Sequence, residues 1–514
     1  MTSIVLAPVV GLALSFGIEA AMQPRPGSVW RRPVGCLALH CGLWLLTFVP
    51  LCLVLGRPWF AAAATSALLL LIVLVNNAKY HSLEEPFVFQ DFEYFTDAIR
   101  HPRLYIPFLG WGNALGAAAG FVAAVATGLW LETVPVDRFA LSGQFGGLLA
   151  WAIAGTLLTM VARRGPAVRY DADADLDAFG LLACLWAYGC AERRVPPLPD
   201  RFADLPPPAP GAEHPHIIAV QSESFFDPRP LFDGIRPDVL AAFDALKRDS
   251  VAHGKLSVPA WGANTVRSEF AFLSGIDAKT LGVHRFNPYR QAARAGVVSL
   301  VKVLRRRGYR TVCVHPYPAG FYARDRVYPL LGFDEFIDIR AFPEAARCGP
   351  YIGDEAVATK VSELLATATG PLFVFVITME NHGPLHLEKT GPEDVVAHYT
   401  TAPPPGCEDL TVYLRHLRNA DRMVARLRET LVRLARPGLL CWYGDHVPIM
   451  PTVYRELARP AGETDYVLWS TLPPATPTAH AIPVEALGRR LLAAAAEPVS
   501  RIIGYATASE RSPA

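Results

Sequence analysis

The chain has 514 residues, enough for two or three domains, with 48 basic and 47 acidic side chains and a formal charge of +1. That balance gives no electrostatic case for nucleic acid, and an apolar share of 52% excludes disorder along the whole chain. With 18% charged residues and a mean hydropathy of +0.24, the apolar excess is larger than a soluble enzyme carries and calls for a membrane.

The excess lies at the N-terminus. Residues 4–22, 34–55, 59–75, 108–130 and 143–162 are apolar runs almost free of charge. A bilayer core about 30 Å thick needs roughly 20 helical residues, so each run is expected to span it, 59–75 only just. Such a succession argues against a cleaved signal peptide and against a set of buried soluble helices. The next stretch, 175–194, is short and flanked by Asp175, Asp177, Glu192, Arg193 and Arg194. It reads as an amphipathic helix on the membrane surface, with a short sixth span as the alternative. The proline-dense 195–215 segment predicts a stiff extended spacer. The chain is thus expected to divide into a transmembrane domain of about five helices over 1–165, a surface helix and linker over 166–213, an α/β domain over 214–500 and a tail over 501–514.

Beyond the spacer, short apolar runs rich in β-branched and aromatic residues recur at His216–Ser222, 311–315, 371–379, 439–443 and 466–470, as in strands buried on both faces. Helical patterns such as 292–307 and 409–435 lie between them. This alternation predicts a mostly parallel sheet covered on both sides, with chemistry collected at the carboxyl ends of the strands.

Several side chains wait at those ends. Glu223 leaves the first strand, either as a ligand or as the neighbour of a helix cap. Gly444-Asp445-His446 closes the 439–443 strand and suits a divalent cation, or a capped turn. Thr265, in the stretch WGANTVRSEF, opens an apolar helix. There the helix dipole and unpaired N–H groups favour an alkoxide and a phosphate oxygen, and a metal would lower the hydroxyl's pKa. A simple cap is the other reading. His382 follows the 371–379 strand and is placed to bind a metal, donate a proton or hydrogen-bond a loop. His315 closes a strand just before Tyr322 and Arg324, an aromatic–arginine pair suited to clamping a phosphate.

Taken together and in this order, QSESFFD, GANTVRSEF, HPYPAGFYARD, MENHGPL and YGDH resemble the lipoteichoic acid synthase and phosphoglycerol transferase family of the alkaline phosphatase and sulfatase superfamily. The resemblance covers the membrane bundle and the α/β domain, and implies a sulfatase-like, metal-dependent phosphotransferase. It implies one divalent ion, Mn2+ ahead of Mg2+ or Zn2+, held by Glu223, Thr265, Asp445 and His446. Thr265 would be the nucleophile and His382 would meet the reacting phosphate or leaving group. His315 and Arg324 would hold the glycerophosphate, with Tyr322 where the family often has tryptophan. The implied donor is phosphatidylglycerol and the acceptor an envelope glycan or glycerophosphate polymer. A phosphoethanolamine transferase and a phosphodiesterase or hydrolase are the alternatives. The sulfatase nucleophile pattern, Cys or Ser followed by x-Pro-x-Arg, is absent at 265–269, which argues against sulfate ester hydrolysis.

By this resemblance the catalytic domain lies outside the bacterial cytoplasmic membrane. The positive-inside rule prefers the reverse for five spans, since Arg25, Arg31, Arg32, Lys79, Arg100, Arg103, Arg163 and Arg164 would then be external. None of the nine cysteines has metal-ligand spacing, and only a Cys348–Cys407 disulfide is left open.

Overall fold

The computed structural model describes residues 2–95, 111–132, 138–205, 214–472 and 478–496. Arg100, Arg103 and the 501–514 tail lie outside them. The chain forms two compact units, Met1–Arg194 and Val195–Ala514.

The first unit is helical: α1 (Thr2–Glu19), α2 (Val34–Leu55), α3 (Pro58–Leu83), α4 (Trp111–Leu131), α5 (Arg138–Val161), α6 (Ala172–Phe179) and α7 (Leu181–Ala191). Among the described residues, Val34–Leu55, Pro58–Leu83 and Gly143–Val161 are long and apolar enough to cross a membrane. The 59–75 run, only just long enough by sequence, belongs to a helix of 26 residues. The polar Asn76 and Asn77 that end the apolar run extend the helix instead of stopping it, because both find backbone partners in the 20–33 loop. The 175–194 stretch is two short helices broken at Gly180, whose φ is +79°. Leu181, Ala183, Cys184, Leu185, Ala187 and Tyr188 of α7 are buried, so this helix packs into the bundle and has no free apolar face.

The second unit carries α8 (Ala241–Arg248), α9 (Thr265–Ser274), α10 (Leu300–Arg306), α11 (Arg324–Leu331), α12 (Asp354–Ala366), α13 (Pro392–His398), α14 (Glu408–Arg433), α15 (Pro451–Glu456) and α16 (Val484–Ala494). Its strands are β1 (His216–Ser222), β2 (Ala252–Ser257), β3 (Arg310–Val314), β4 (Glu335–Ile337), β5 (Arg347–Cys348), β6 (Tyr351–Ile352), β7 (Leu372–Ile377), β8 (Gly438–Gly444), β9 (Thr464–Ser470), β10 (Thr478–Ala479) and β11 (Ile482–Pro483). The main sheet runs β10-β2-β9-β8-β1-β7-β3-β4. β8, β1, β7, β3 and β4 are parallel, while β9 is antiparallel to both β8 and β2. Because side chains alternate along a strand, Ile217 and Ala219 enter one core with Phe270, Phe272 and Leu300, and Ile218 and Val220 enter the other with Phe243, Val357 and Leu417. Burial on both faces is why these strands read as unbroken apolar runs. β2 (AHGKLS) escapes that reading, being polar and half-exposed beyond the antiparallel β9.

The 195–205 segment is no free spacer. Phe202 is buried in the core of the second unit, Arg201 pairs with Asp277 at 3.0 Å and Arg489 with Asp204 at 2.7 Å. The helical pattern at 292–307 resolves into a short turn and α10, interrupted at Gly296. The nine cysteines are free, Cys348 and Cys407 included.

Candidate metal centre and its surroundings

Three neighbouring parallel strands, β8, β1 and β7, end at the same edge of the sheet, so the residues that follow them meet. Glu223 after β1, and Asp445 and His446 after β8, are all buried, and one potential ligand atom from each lies within 4.8 Å of the others. The two strand ends approach so closely that a Cβ on Gly444 would fall 1.8 Å from the Phe225 carbonyl oxygen, which makes glycine obligatory there.

The hydrogen bonds explain how acid groups are tolerated at this depth. Thr378 Oγ1 accepts the Glu223 N–H at 2.9 Å, and Ser224 Oγ donates to Glu223 Oε1 at 2.9 Å. Asp445 Oδ1 accepts the N–H groups of Ser224 at 2.9 Å and His446 at 3.0 Å. Asp445 Oδ2 is buried without any hydrogen bond. His446 Nδ1 lies 3.1 Å from the Val447 carbonyl, which places a hydrogen on Nδ1 and makes Nε2 the nitrogen that can offer a lone pair to a metal. That lone pair lies 3.5 Å from Glu223 Oε1 and 3.4 Å from Asp445 Oδ2. Three electron-rich atoms facing one another, one of them an orphaned carboxylate oxygen, fit a divalent cation held by two oxygens and a nitrogen. Burial, reinforced by the charge of Asp445, pushes the Glu223 carboxyl up to about 8.

Thr265 is the first residue of α9 and is largely buried. Asn264 before it is left-handed, with φ of +66°. Two bonds stitch this helix start to the exit of β8: Gly262 N–H to the Val447 carbonyl at 3.1 Å, and Ser268 Oγ to the Asp445 carbonyl at 2.6 Å. These bonds hold the start of α9, with Thr265 at its positive end, against the exit of β8.

His382, in the loop after β7, makes its hydrogen bonds through Nδ1, 2.7 Å from the Gly383 carbonyl. The Tyr351 hydroxyl donates to the same carbonyl at 3.3 Å. Nδ1 therefore holds the hydrogen and Nε2 keeps its lone pair. Burial lowers the His382 pKa, with the Gly383 bond and the Asp445 charge acting against it.

Arg324 and His315, expected to hold the glycerophosphate, lie in a buried polar network. Arg324 is fully buried, with Nε 3.1 Å from Glu269 Oε1 and Nη2 2.8 Å from Glu269 Oε2. Its Nη1 meets His315 Nε2 at 3.2 Å. Burial and the adjacent guanidinium push His315 well below its ordinary pKa, so it is neutral. Glu269 also accepts the hydroxyls of Tyr289 and Tyr328. The Tyr322 ring, 5.2 Å from the Arg324 guanidinium carbon, covers the same group at a left-handed position with φ of +55°.

The sequence reading missed Glu269, Tyr351 and Asn381, whose Nδ2 donates to the Glu223 carbonyl at 3.3 Å. Glu269 alone had a readable signal, since it falls four residues after Thr265 and so on the same face of the helix.

The chain is similar to several known proteins. The capsular polysaccharide biosynthesis protein RkpI of Rhizobium meliloti is 28% identical over 452 residues, covering 82% of this chain and 79% of that protein. A second Rhizobium meliloti protein, provisionally named for cyclic β-1,2-glucan modification, is 28% identical over 269 residues, which are 52% of this chain and 41% of that protein. Among solved structures, the integral membrane lipooligosaccharide phosphoethanolamine transferase A of Neisseria meningitidis has the same fold, with a TM-score of 0.54 at 12% identity over 91% of this chain and 95% of that one. Among the described residues, the three helices long and apolar enough to cross a bilayer mark the chain as a membrane protein. The sulfatase family pattern matches residues 215–482, more than half of the chain, and the chain therefore belongs to the sulfatase family, within the alkaline phosphatase superfamily of metal-dependent enzymes.

Proposed function

We propose that this chain is a membrane-bound phosphoglycerol transferase acting outside the bacterial cytoplasmic membrane. It moves glycerophosphate from phosphatidylglycerol to an envelope glycan or polymer through a phospho-threonine at Thr265. The observation that carries this reading is the start of α9, tied to the Asp445 carbonyl beside the buried Glu223–Asp445–His446 cluster. The names of the two Rhizobium meliloti relatives favour an envelope polysaccharide as the acceptor.

Glu223, Asp445 and His446, joined by the Thr265 oxygen, are the residues that would hold the ion, Mn2+ by the resemblance of the motifs. Such an ion supplies positive charge at the threonine oxygen and at the phosphoryl oxygens, where negative charge develops. The chain provides the rest. Thr265 Oγ attacks phosphorus and breaks the bond to the diacylglycerol oxygen, while the positive end of α9 favours the charge on the phosphoryl oxygens. The proton lost by Thr265 ends on diacylglycerol, and His382 Nε2, a lone pair on a neutral ring, is the group suited to carry it. An acceptor hydroxyl then attacks the same phosphorus, its proton returning to Thr265. Arg324 and His315 remain the proposed contacts for the glycerophosphate by the resemblance of the motifs; Glu269 holds Nε and Nη2 of Arg324, and Nη1 meets His315.

The test is intact mass spectrometry of the full chain incubated with Mn2+ and phosphatidylglycerol without acceptor. A glycerophosphate-sized adduct on Thr265, with diacylglycerol released, is expected in the wild type and absent in Thr265→Ala. Adduct formation in Thr265→Ala removes the nucleophile assignment. A second reading, phosphoethanolamine transfer, is favoured by the fold shared with the Neisseria meningitidis enzyme over nearly its whole length. It predicts the corresponding adduct from phosphatidylethanolamine only.

A further inference from the structure

The arginines that oppose the positive-inside count have separate fates. Arg32 is buried and paired with Glu19, and Lys79 is neutralised by Glu85 at 2.8 Å and Asp91 at 2.7 Å. Arg25, Arg31, Arg163 and Arg164 make no ion pair among the described residues. They belong to one end of the helical unit, since Gly35 at the start of α2 lies against Ala162 at the end of α5. Unpaired guanidinium groups gathered at one membrane boundary face the phosphates of lipid headgroups.

One of them overlooks a cavity. The 20–33 loop, together with the end of α1 and the start of α2, borders a half-open cleft of about 700 Å3, within the roughly 300–1,000 Å3 of small-molecule sites. Phe16, Ala20, Val29 and Leu37 give it apolar walls, with Arg25 and Trp30 at its edge. Trp30 is 92% exposed, and Arg25 is exposed and unpartnered among the described residues. Tryptophan in that state belongs at the headgroup level of a bilayer.

The loop is held in this shape by polar anchors. Asn77 Oδ1 accepts the Gln23 N–H at 2.7 Å, and Asn76 Nδ2 donates to the Gln23 carbonyl at 2.8 Å. Gly27 N–H donates to the Asp177 carbonyl at 3.1 Å, an approach that a Cβ would block at 2.4 Å. Arg32 Nε and Nη2 both donate to the Gly27 carbonyl at 3.1 Å, while Nη1 is fixed by Glu19. A cup fixed at three points, apolar inside and tipped by a free cation, is preorganised to bind a molecule with a chain and an anion.

We propose that this cup binds one anionic phospholipid, with an acyl chain in the cavity and the phosphate on Arg25. The site deepens the proposed function, because it gives the donor lipid a place on the membrane unit itself. It rests on that reading only for the lipid's identity as donor.

The experiment is native mass spectrometry of the full chain carrying Thr265→Ala, released from nanodiscs made of equal amounts of phosphatidylglycerol and phosphatidylcholine with matched acyl chains. One phosphatidylglycerol is expected to be retained in preference to phosphatidylcholine. Arg25→Gln is expected to lower that retention about fivefold, the effect of one basic residue at a membrane surface. Leu37→Trp fills the cavity, leaves Arg25 in place and is expected to lose the lipid as well. Arg31→Gln, an equal change of charge outside the cavity, is expected to leave retention unchanged. Equal losses from Arg25→Gln and Arg31→Gln would mean annular lipid gathered by a basic surface and would overturn the site, as would retention that ignores both Arg25→Gln and Leu37→Trp. Since Thr265→Ala is expected not to turn over, binding is read independently of catalysis. Failure of the transferase reading shows instead as a missing adduct in the wild type.

Discussion

Glu223→Gln probes the acidic cluster most directly, because its effect on stability has opposite signs with and without metal. In the metal-free protein, burial and the Asp445 charge hold the Glu223 carboxyl up to about 8, against an ordinary 4.5. Between those values the folded protein keeps a proton that the unfolded chain has released. Stability therefore falls as pH rises through that window, and the penalty is complete above it. At about 1.4 kcal/mol per pH unit the shift corresponds to roughly 5 kcal/mol, an upper bound because a buried site relaxes and admits water. Glutamine has the same shape and no charge to bury, so Glu223→Gln escapes the penalty. Scanning calorimetry of the full chain with a chelator is expected to place the catalytic-unit transition of Glu223→Gln above that of the wild type at pH 8.5, by on the order of 10 °C. The gap is expected to close at pH 5. Saturating Mn2+ should reverse the order, since metal binds the wild-type carboxylate and lifts only that protein. A variant no more stable than the wild type at pH 8.5 under chelation, or a gap equally large at pH 5, would refute the reasoning.

Two further substitutions test the residues around the cluster. Glu269→Ala strands the buried Arg324 guanidinium and is expected to cost about 3–5 kcal/mol in denaturant unfolding, with Glu269→Leu/Arg324→Leu recovering much of the loss. Tyr351→Phe removes one donor to the Gly383 carbonyl that orients His382. It is expected to cost about 1 kcal/mol of stability and to lower turnover with metal content unchanged, measured by elemental analysis beside a transfer assay.

Residues 216–222, 439–443 and 371–379 were legible as strands because each is flanked by other strands and covered on both faces, so every position needs an apolar side chain. The same logic exposed Glu223, Asp445 and His446, polar residues placed where an apolar run stops. The apolar helices were readable from their length.

The tertiary structure decided the rest. Nothing local indicates that Arg324 finds Glu269, 55 residues away, because an ion pair leaves no periodic trace in either segment. The antiparallel β9 and the polar β2 beside it follow from which strands meet, and the docking of 195–205 from a single phenylalanine, Phe202, finding the core. Local sequence, through burial and periodicity, determined that there is a membrane bundle, a doubly covered sheet and an acidic cluster at its edge. Which charges are neutralised inside, and which face outward with nothing to pair, was set only when distant segments packed together, since a charge's cost depends on its neighbours in space.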